Sequence, residues 1–393
     1  MELDYLIVGG GIHGVHIAAR LIGEGGVEAR RIRILDPAPT LLARWRACTA
    51  RTGMTYLRSP SVHHLDLHPW SLQRFAGERS TRRAGLFTPP YDRPSLKLFD
   101  AHCDVVIDRY GIAPLHVQAR AARCSLVEGG VRVETEAGAR YDTRKLVLAI
   151  GVSEQPCWPD WAPEQSARIK HIFAPGGTLT ADSKEQIAII GGGISAGQIA
   201  LRLASEGYRV HLVSRHALRE HQFDSDPGWL GPKFMRGFNL EPALERRREM
   251  ITRARHRGSV PADVQRPLRL MIEQGRVMHH EREIASARER SDGVELVFTD
   301  NTRQQVDRVI LATGFSTARP GGRMIDALIK SASLPLAPCG YPVVDEMCRW
   351  HPDIYVTGPL AELALGPASR NIAGARRAGD SIIAALDAEL AAA

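Results

Sequence analysis

A strand, a glycine turn and a helix occur twice in this chain, and the second copy nearly reprints the first. Residues 9–25 read GGGIHGVHIAARLIGEG and residues 191–207 read GGGISAGQIALRLASEG, identical at ten of seventeen positions and 182 apart. Each turn follows an apolar, β-branched run (Tyr5-Leu-Ile-Val8; Ile187-Ala-Ile-Ile190) and opens a pattern of helical period. A glycine turn between strand and helix brings backbone N–H groups and the positive end of the helix to one point, which suits a pyrophosphate. Two such turns predict two dinucleotides on one chain, with redox chemistry passing between them.

In the first unit Gly9 permits the tight turn, Gly11 lets a pyrophosphate approach the backbone, and Gly14 lets the helix pack on the strand. Ile12 and His13 stand at the helix N-terminus that faces the phosphates. The second strand, Arg31-Ile-Arg-Ile-Leu35, ends in Asp36, 22 residues beyond Gly14. A carboxylate there accepts hydrogen bonds from adenosine ribose hydroxyls. The second unit has Gly191, Gly193, Ser195 and Ala196 in the turn, and its second strand, Arg209-Val-His-Leu-Val213, ends in Ser214-Arg215. A carboxylate would repel a 2′-phosphate, whereas a hydroxyl and a guanidinium would bind one. The expectation is FAD in the first site and NADPH in the second.

Composition narrows the class. The net charge is +7, but only six of the 51 basic residues are Lys. So strong an Arg bias points to genomic composition rather than nucleic-acid binding. The densest cluster, Arg246-Arg247-Arg248 with Arg253, Arg255 and Arg257, falls on an expected helix from near Asn239 to Gly258 and reads as a solvated face; the sharper alternative is a landing site for an anion. No apolar run reaches the ~18 residues of a membrane span, and Met1-Glu-Leu-Asp leads straight into a strand. Cytoplasmic location is the default. Cysteines 48, 103, 124, 157, 339 and 348 show neither C-x-x-C nor C-x₄-C, the spacings of a redox disulfide. The adjacent pairs His63-His64 and His279-His280 would point to opposite faces of a strand, so no metal site is expected.

The fold class is α/β, with two Rossmann-like domains and the NADPH domain inserted into a discontinuous FAD domain. Residues 1–178 form the first part of the FAD domain, with an insertion over about 40–110 that carries a helix near Ser95–Tyr110. Alternating residues then lead to the strand Leu146-Val-Leu-Ala-Ile150, closed by Gly151. Residues 182–305 form the NADPH domain. Residues 306–393 return to the FAD domain through Val309-Ile-Leu-Ala312, Thr313-Gly314-Phe315, the strand and turn Asp353-Ile-Tyr-Val-Thr-Gly358, and a final helix with apolar positions at 372, 375, 379, 382, 383, 386 and 390.

Over essentially its whole length the chain resembles the two-dinucleotide-binding flavoproteins, and among them the single-component flavin monooxygenases of the lysine and ornithine N-hydroxylating group. The residues carrying the likeness are GGGIHG, the insertion segment Met54-Thr-Tyr-Leu-Arg-Ser-Pro60, GGGISA, and Ala312-Thr-Gly-Phe315, which is similar to the ATG(Y/F) element of those enzymes. The resemblance implies that Trp45 and Met54 lie near the flavin ring, and that Gly358 to Leu360 and the start of the final helix meet its pyrimidine end. Val117 and Gly151 complete the FAD set, and Thr313 and Gly314 lie where the chain passes back between the domains. It further implies NADPH-dependent oxygenation of a small molecule, preferably N-hydroxylation of an amine, using O₂ through a flavin C4a-hydroperoxide. The alternative is a reductase or electron transferase without oxygen insertion. Two departures stand out. The F-x-G-x-x-x-H fingerprint of general flavin monooxygenases is absent around His171, and His221–Gly231 differs from the substrate loop of the ornithine enzymes. Arg58 is the candidate for a positioning cation at the flavin edge, against a plain structural bridge; Ser369 and Asn371 read equally as helix caps. Neither nucleic acid nor membrane is expected as a partner, and self-association into a homo-oligomer stays open.

Overall fold

The computed structural model describes residues 3–77, 85–175 and 185–392. Both apolar runs become central strands of parallel sheets. Leu3–Val8 lies between Ile32–Asp36 and Arg140–Leu148, parallel to each. His116–Gln118 extends the sheet on one side, and Ile354–Val356, then Arg349–His351, on the other. A meander, Ala121–Val127 and Gly130–Thr135, leaves antiparallel from Arg140–Leu148. The second sheet is wholly parallel, in the order Val277–Glu281, Arg209–Ser214, Gln186–Ile190, Arg308–Leu311, Ile169–His171. Helices cover both sheets, so the central strands are apolar without alternation: Leu6, Ile7, Ile187 and Ile189 are fully buried. A three-stranded antiparallel sheet (Ile284–Glu289, Val294–Phe298, Arg303–Val306) caps the second unit.

This is the expected α/β architecture of two Rossmann-like units, one inserted in the other. Strand Ile169–His171 comes from before residue 182 and Arg308–Leu311 from beyond 305, and both pair in the second sheet. A parallel strand is recruited by register with partners remote in sequence, which the turn motifs do not reveal. The helix expected after Pro94 is Leu96–Arg109, with the Ser95 hydroxyl accepting from Leu98 N–H at 3.3 Å. The final helix, Ile372–Ala392, buries the predicted positions as far as Ile383, whereas Leu390 lies exposed.

The arginine cluster is a correction. No single helix spans 239–258: Pro232–Leu240 and Leu244–Ala254 are separate, with Pro242 in the break. Their face is solvated only in part: Arg246, Arg253 and Arg257 are exposed, whereas Arg247, Arg248 and Arg255 are partly buried. Phe238 and Ile251 of this hairpin, with Trp229 just before it, pack on Ala337, Tyr341 and Leu363 of the first unit. Arg248 and Arg255 reach across to Glu362, which Arg370 also grips from within the first unit (Nε–Oε1 2.8 Å). Arg247 donates to the carbonyls of Asn239, Glu241 and Leu363.

Glu362 is completely buried. Burial pushes its pKa up, but Arg255, Arg370 and Arg248 together push it further down, to about 2. A depressed carboxylate contributes stability above its unfolded pKa and loses it as pH falls through the folded value. The protein should therefore lose stability between about pH 4.5 and pH 2. Glu362→Gln, which strands three guanidinia, should cost roughly 3–5 kcal/mol and flatten that part of the profile. Denaturant melts of both proteins across acid pH check this.

Candidate dinucleotide sites

The two turns are equivalent in detail. Gly9 N–H donates to Leu35 O at 2.8 Å and Gly191 N–H to Val213 O at 2.9 Å. Gly9 (φ +115°) and Gly191 (φ +144°) occupy backbone open chiefly to glycine, and a Cβ on either would lie 2.5 Å from a carbonyl oxygen, that of Ala149 or Ala312. A Cβ on Gly14 would meet Gly9 O at 1.8 Å, so that glycine is fixed by helix–strand packing; the second turn is wider and holds Ala196 there.

The middle glycines are different. Gly11 has ordinary extended backbone (φ −81°), and a Cβ there would meet nothing within 4 Å. Gly193 (φ −98°) has one neighbour in that range, Gly258 Cα at 3.7 Å. Neither strain nor protein packing demands glycine at these two positions. They leave the backbone open to close approach by a ligand, and both helices, Ile12–Gly23 and Ile194–Ser205, start there with their first N–H groups. These residues fit a dinucleotide pyrophosphate at each turn.

Asp36 ends its strand and accepts from Gly10 N–H (2.6 Å) and Ala38 N–H (2.8 Å), which fixes the carboxylate beside the turn with lone pairs to spare for ribose hydroxyls. Val117 lies on the neighbouring strand, opposite Leu35. Gly151 is exposed just past Arg140–Leu148. His13 Nδ1 lies 2.7 Å from Thr357 Oγ1, and its ring is 3.6 Å from where a Gly358 Cβ would stand. Burial pushes the His13 imidazole down to about 4, so it is neutral at physiological pH, and its buried Nε2 has no protein partner. Leu360 is fully buried. Ser369 donates to Gly358 O at 2.5 Å, and Asn371 Oδ1 caps Gly374 N–H at 3.1 Å, so both side chains serve the backbone. Thr357 is a site residue that motif reading missed, although it precedes the singled-out Gly358.

Trp45 and Met54 pack against the first unit's core from the insertion; the Trp45 indole N–H is tied to Asp100 (3.1 Å) and its ring lies against Phe99. Arg58 is corrected. Its guanidinium donates to the carbonyls of His221 (2.7 Å), Gln222 (2.9 Å) and Phe223 (2.8 Å) and to Ser259 Oγ (2.9 Å). All four acceptors belong to the second unit, so Arg58 ties the units together through Nε and Nη2 rather than standing as a free cation at the flavin edge.

At the second turn Ser195 sits in the first turn of its helix. Ser214 is corrected: it is buried and hydrogen-bonded within the protein, donating to His216 O (2.8 Å) and lying 2.8 Å from His279 Nε2. Its neighbour Arg215 is exposed and has no side-chain partner among the described residues. Thr313 Oγ1 donates to Cys157 O (2.5 Å) and Gly314 O accepts from Cys157 N–H (2.9 Å), which joins the two strands of chain passing between the units.

Two other chemistries find no support. Ser71, His102 and Asp66 form a buried trio in the insertion, but Asp66 accepts from Ser71 and not from His102, whose Nδ1 has no partner. That is a polar core rather than a nucleophile relay. No group of three potential metal ligands forms among the described residues.

Residues 6–153 match the family described as FAD-NAD(P)-binding, and residues 104–241 the family described as pyridine nucleotide-disulphide oxidoreductase. No curated protein matches the chain in sequence. In structure it is similar to the ornithine N-hydroxylase of Kutzneria sp. 744, at 16% identity and TM-score 0.81, covering 99% of this chain and 100% of that one. It is similar also to the ornithine hydroxylase of Pseudomonas aeruginosa (19%, 0.77, 99% and 100%) and to the L-lysine 6-monooxygenase of Pseudomonas syringae (20%, 0.73, 98% and 99%). The chain has the two-dinucleotide flavoprotein fold in the form those monooxygenases share.

The glycines give a paired test. Gly11→Ala should fold normally yet bind FAD at least about tenfold more weakly. Gly14→Ala should cost about 1–3 kcal/mol by overpacking. Melting curves and FAD titration of the two variants separate ligand space from packing space. Equal behaviour would contradict the assignment.

Proposed function

We propose that the protein is an FAD-dependent, NADPH-using monooxygenase that oxygenates a small molecule, preferably hydroxylating the nitrogen of an amine. The observation that carries the reading is the pair of glycine turns, at Gly11 and Gly193, where neither strain nor a close protein neighbour requires glycine, held on one frame. Bound flavin supplies hydride acceptance and oxygen activation; this chain supplies position, polarity and dryness.

Its residues divide that work. Asp36, the N-terminus of Ile12–Gly23 and the neutral His13 hold the flavin nucleotide. The N-terminus of Ile372–Ala392 would present its positive dipole end to a bound flavin and so favour negative charge there. Arg215 distinguishes NADPH from NADH, with no carboxylate at Ser214 to oppose it. The insertion and the 232–254 hairpin, tied down by Arg58, Arg248 and Arg255, close the cleft against water. The preference for an amine rests on likeness to ornithine and lysine hydroxylases. We assign the protein to the cytoplasm, which supplies NADPH and keeps thiols reduced; no helix among the described residues is long and apolar enough to cross a membrane.

A reductase without oxygen insertion is the second reading, favoured by the match over 104–241. Against it, all six cysteines are unpaired, and Cys103, Cys124 and Cys348 are buried with burial raising their thiol pKa values. Anaerobic reduction by NADPH followed by rapid mixing with O₂ separates the two. The monooxygenase reading expects a transient spectrum that is neither oxidised nor reduced flavin, decaying faster with an amine substrate. Direct return to oxidised flavin with stoichiometric peroxide, whatever the amine, would contradict it.

A further inference from the structure

We propose that Arg257 is the pyrophosphate-neutralising residue of the second dinucleotide site, carried to the Gly191–Gly193 turn by the loop 256–259. The inference deepens the function proposed above and rests on NADPH occupying that turn.

The placement comes from three glycines and a histidine. Where Gly11 faces open space, Gly193 faces Gly258 Cα at 3.7 Å, so the loop borders the second cradle itself. Gly258 has φ +67°, and a Cβ on it would lie 2.6 Å from His216 Nε2. The same imidazole reaches the other side of the turn, with Cε1 3.1 Å from where a Gly192 Cβ would stand. His216 is thus wedged between turn and loop and sets their spacing, while its Nδ1 lies 2.8 Å from Ala217 O.

The loop is firmly held there. His256 N–H donates to Asp224 O (2.7 Å), and Ser259 Oγ donates to His256 O (2.6 Å) and accepts from Arg58 (2.9 Å). On one flank Ser259–Val260 pairs with Arg219–Glu220; on the other Arg255 is fixed to Glu362. Arg257 therefore projects from an anchored backbone.

The arginine run sorts itself by partner. Arg247 is spent on carbonyls, Arg248 and Arg255 on Glu362, and Arg253 on Glu249. Arg246 and Arg257 are exposed and have no side-chain partner among the described residues, and of the two it is Arg257 whose chain neighbour, Gly258, borders a dinucleotide turn. The turn itself offers an anion backbone N–H groups and helix dipole. A guanidinium beside it adds the full charge and the planar two-donor geometry that phosphate oxygens accept. The labour then divides: Arg215 reads the 2′-phosphate, which only NADP(H) has, and Arg257 grips the pyrophosphate, which NAD(H) shares.

Dissociation constants of NADP⁺ and NAD⁺ for the FAD-loaded protein test this division. Arg257→Gln should weaken both by about tenfold, leave their ratio unchanged and leave FAD content unchanged; Arg257→Lys should recover part of the loss. Arg215→Gln should weaken NADP⁺ alone. If Arg257→Gln shifts neither constant, or shifts only that of NADP⁺, the pyrophosphate assignment is wrong while the NADPH reading stands. Wild-type protein that binds neither nucleotide would overturn both.

Discussion

Two Rossmann units are useful as a redox pair only if one is held at a fixed place over the other, and here arginine-to-carbonyl hydrogen bonds do the holding. Arg44 spans Ser153 O and Phe173 O (2.5 Å each), and Arg51 reaches Ala174 O (2.9 Å). Arg202 returns from the second unit to Arg51 O (3.2 Å). On the far side Arg58 gathers three consecutive carbonyls, buried Arg93 pairs with Asp263 (3.0 Å), and Arg377 donates to Trp229 O (3.1 Å). The Glu362 knot closes the ring.

Physical chemistry explains the choice of residue. A guanidinium has five N–H donors in a rigid plane and stays charged at any ordinary pH, so one side chain can satisfy several carbonyls of a loop. Lysine, with a compact and strongly hydrated head, would span fewer acceptors at greater desolvation cost. The Arg bias that composition attributes to the genome therefore has a structural use in this molecule. The cost is surplus buried charge: one carboxylate, Glu362, answers Arg248, Arg255 and Arg370, and Arg248 Nε and Nη2 remain buried without partners.

What could be read in the chain and what could not divide along sequence separation. The turns, their strands and helices, Asp36 and the exposed Arg215 are local patterns, and each lies where motif and period place it. Arg248 and Glu362 are 114 residues apart and Arg58 and Gln222 are 164 apart, so no window contains either contact. That is why the sequence leaves Arg58 between a flavin-edge cation and a structural bridge, and why it does not separate Arg247, Arg248 and Arg255 from the exposed Arg246, Arg253 and Arg257. Ser214 failed differently: its position was right, but His279 and His216 O, supplied by the fold, engage the hydroxyl. Strand Ile169–His171 carries too little pattern in three residues to announce its sheet.

A rigid frame is the claim beneath the functional reading, because the nicotinamide must meet the flavin without either unit turning. Small-angle X-ray scattering of the FAD-loaded protein, recorded anaerobically with and without NADPH, addresses it most directly. The ring of arginine ties predicts superimposable scattering curves and an unchanged radius of gyration. A nucleotide-dependent change that fits only a rotation of residues 169–311 against the rest would contradict it.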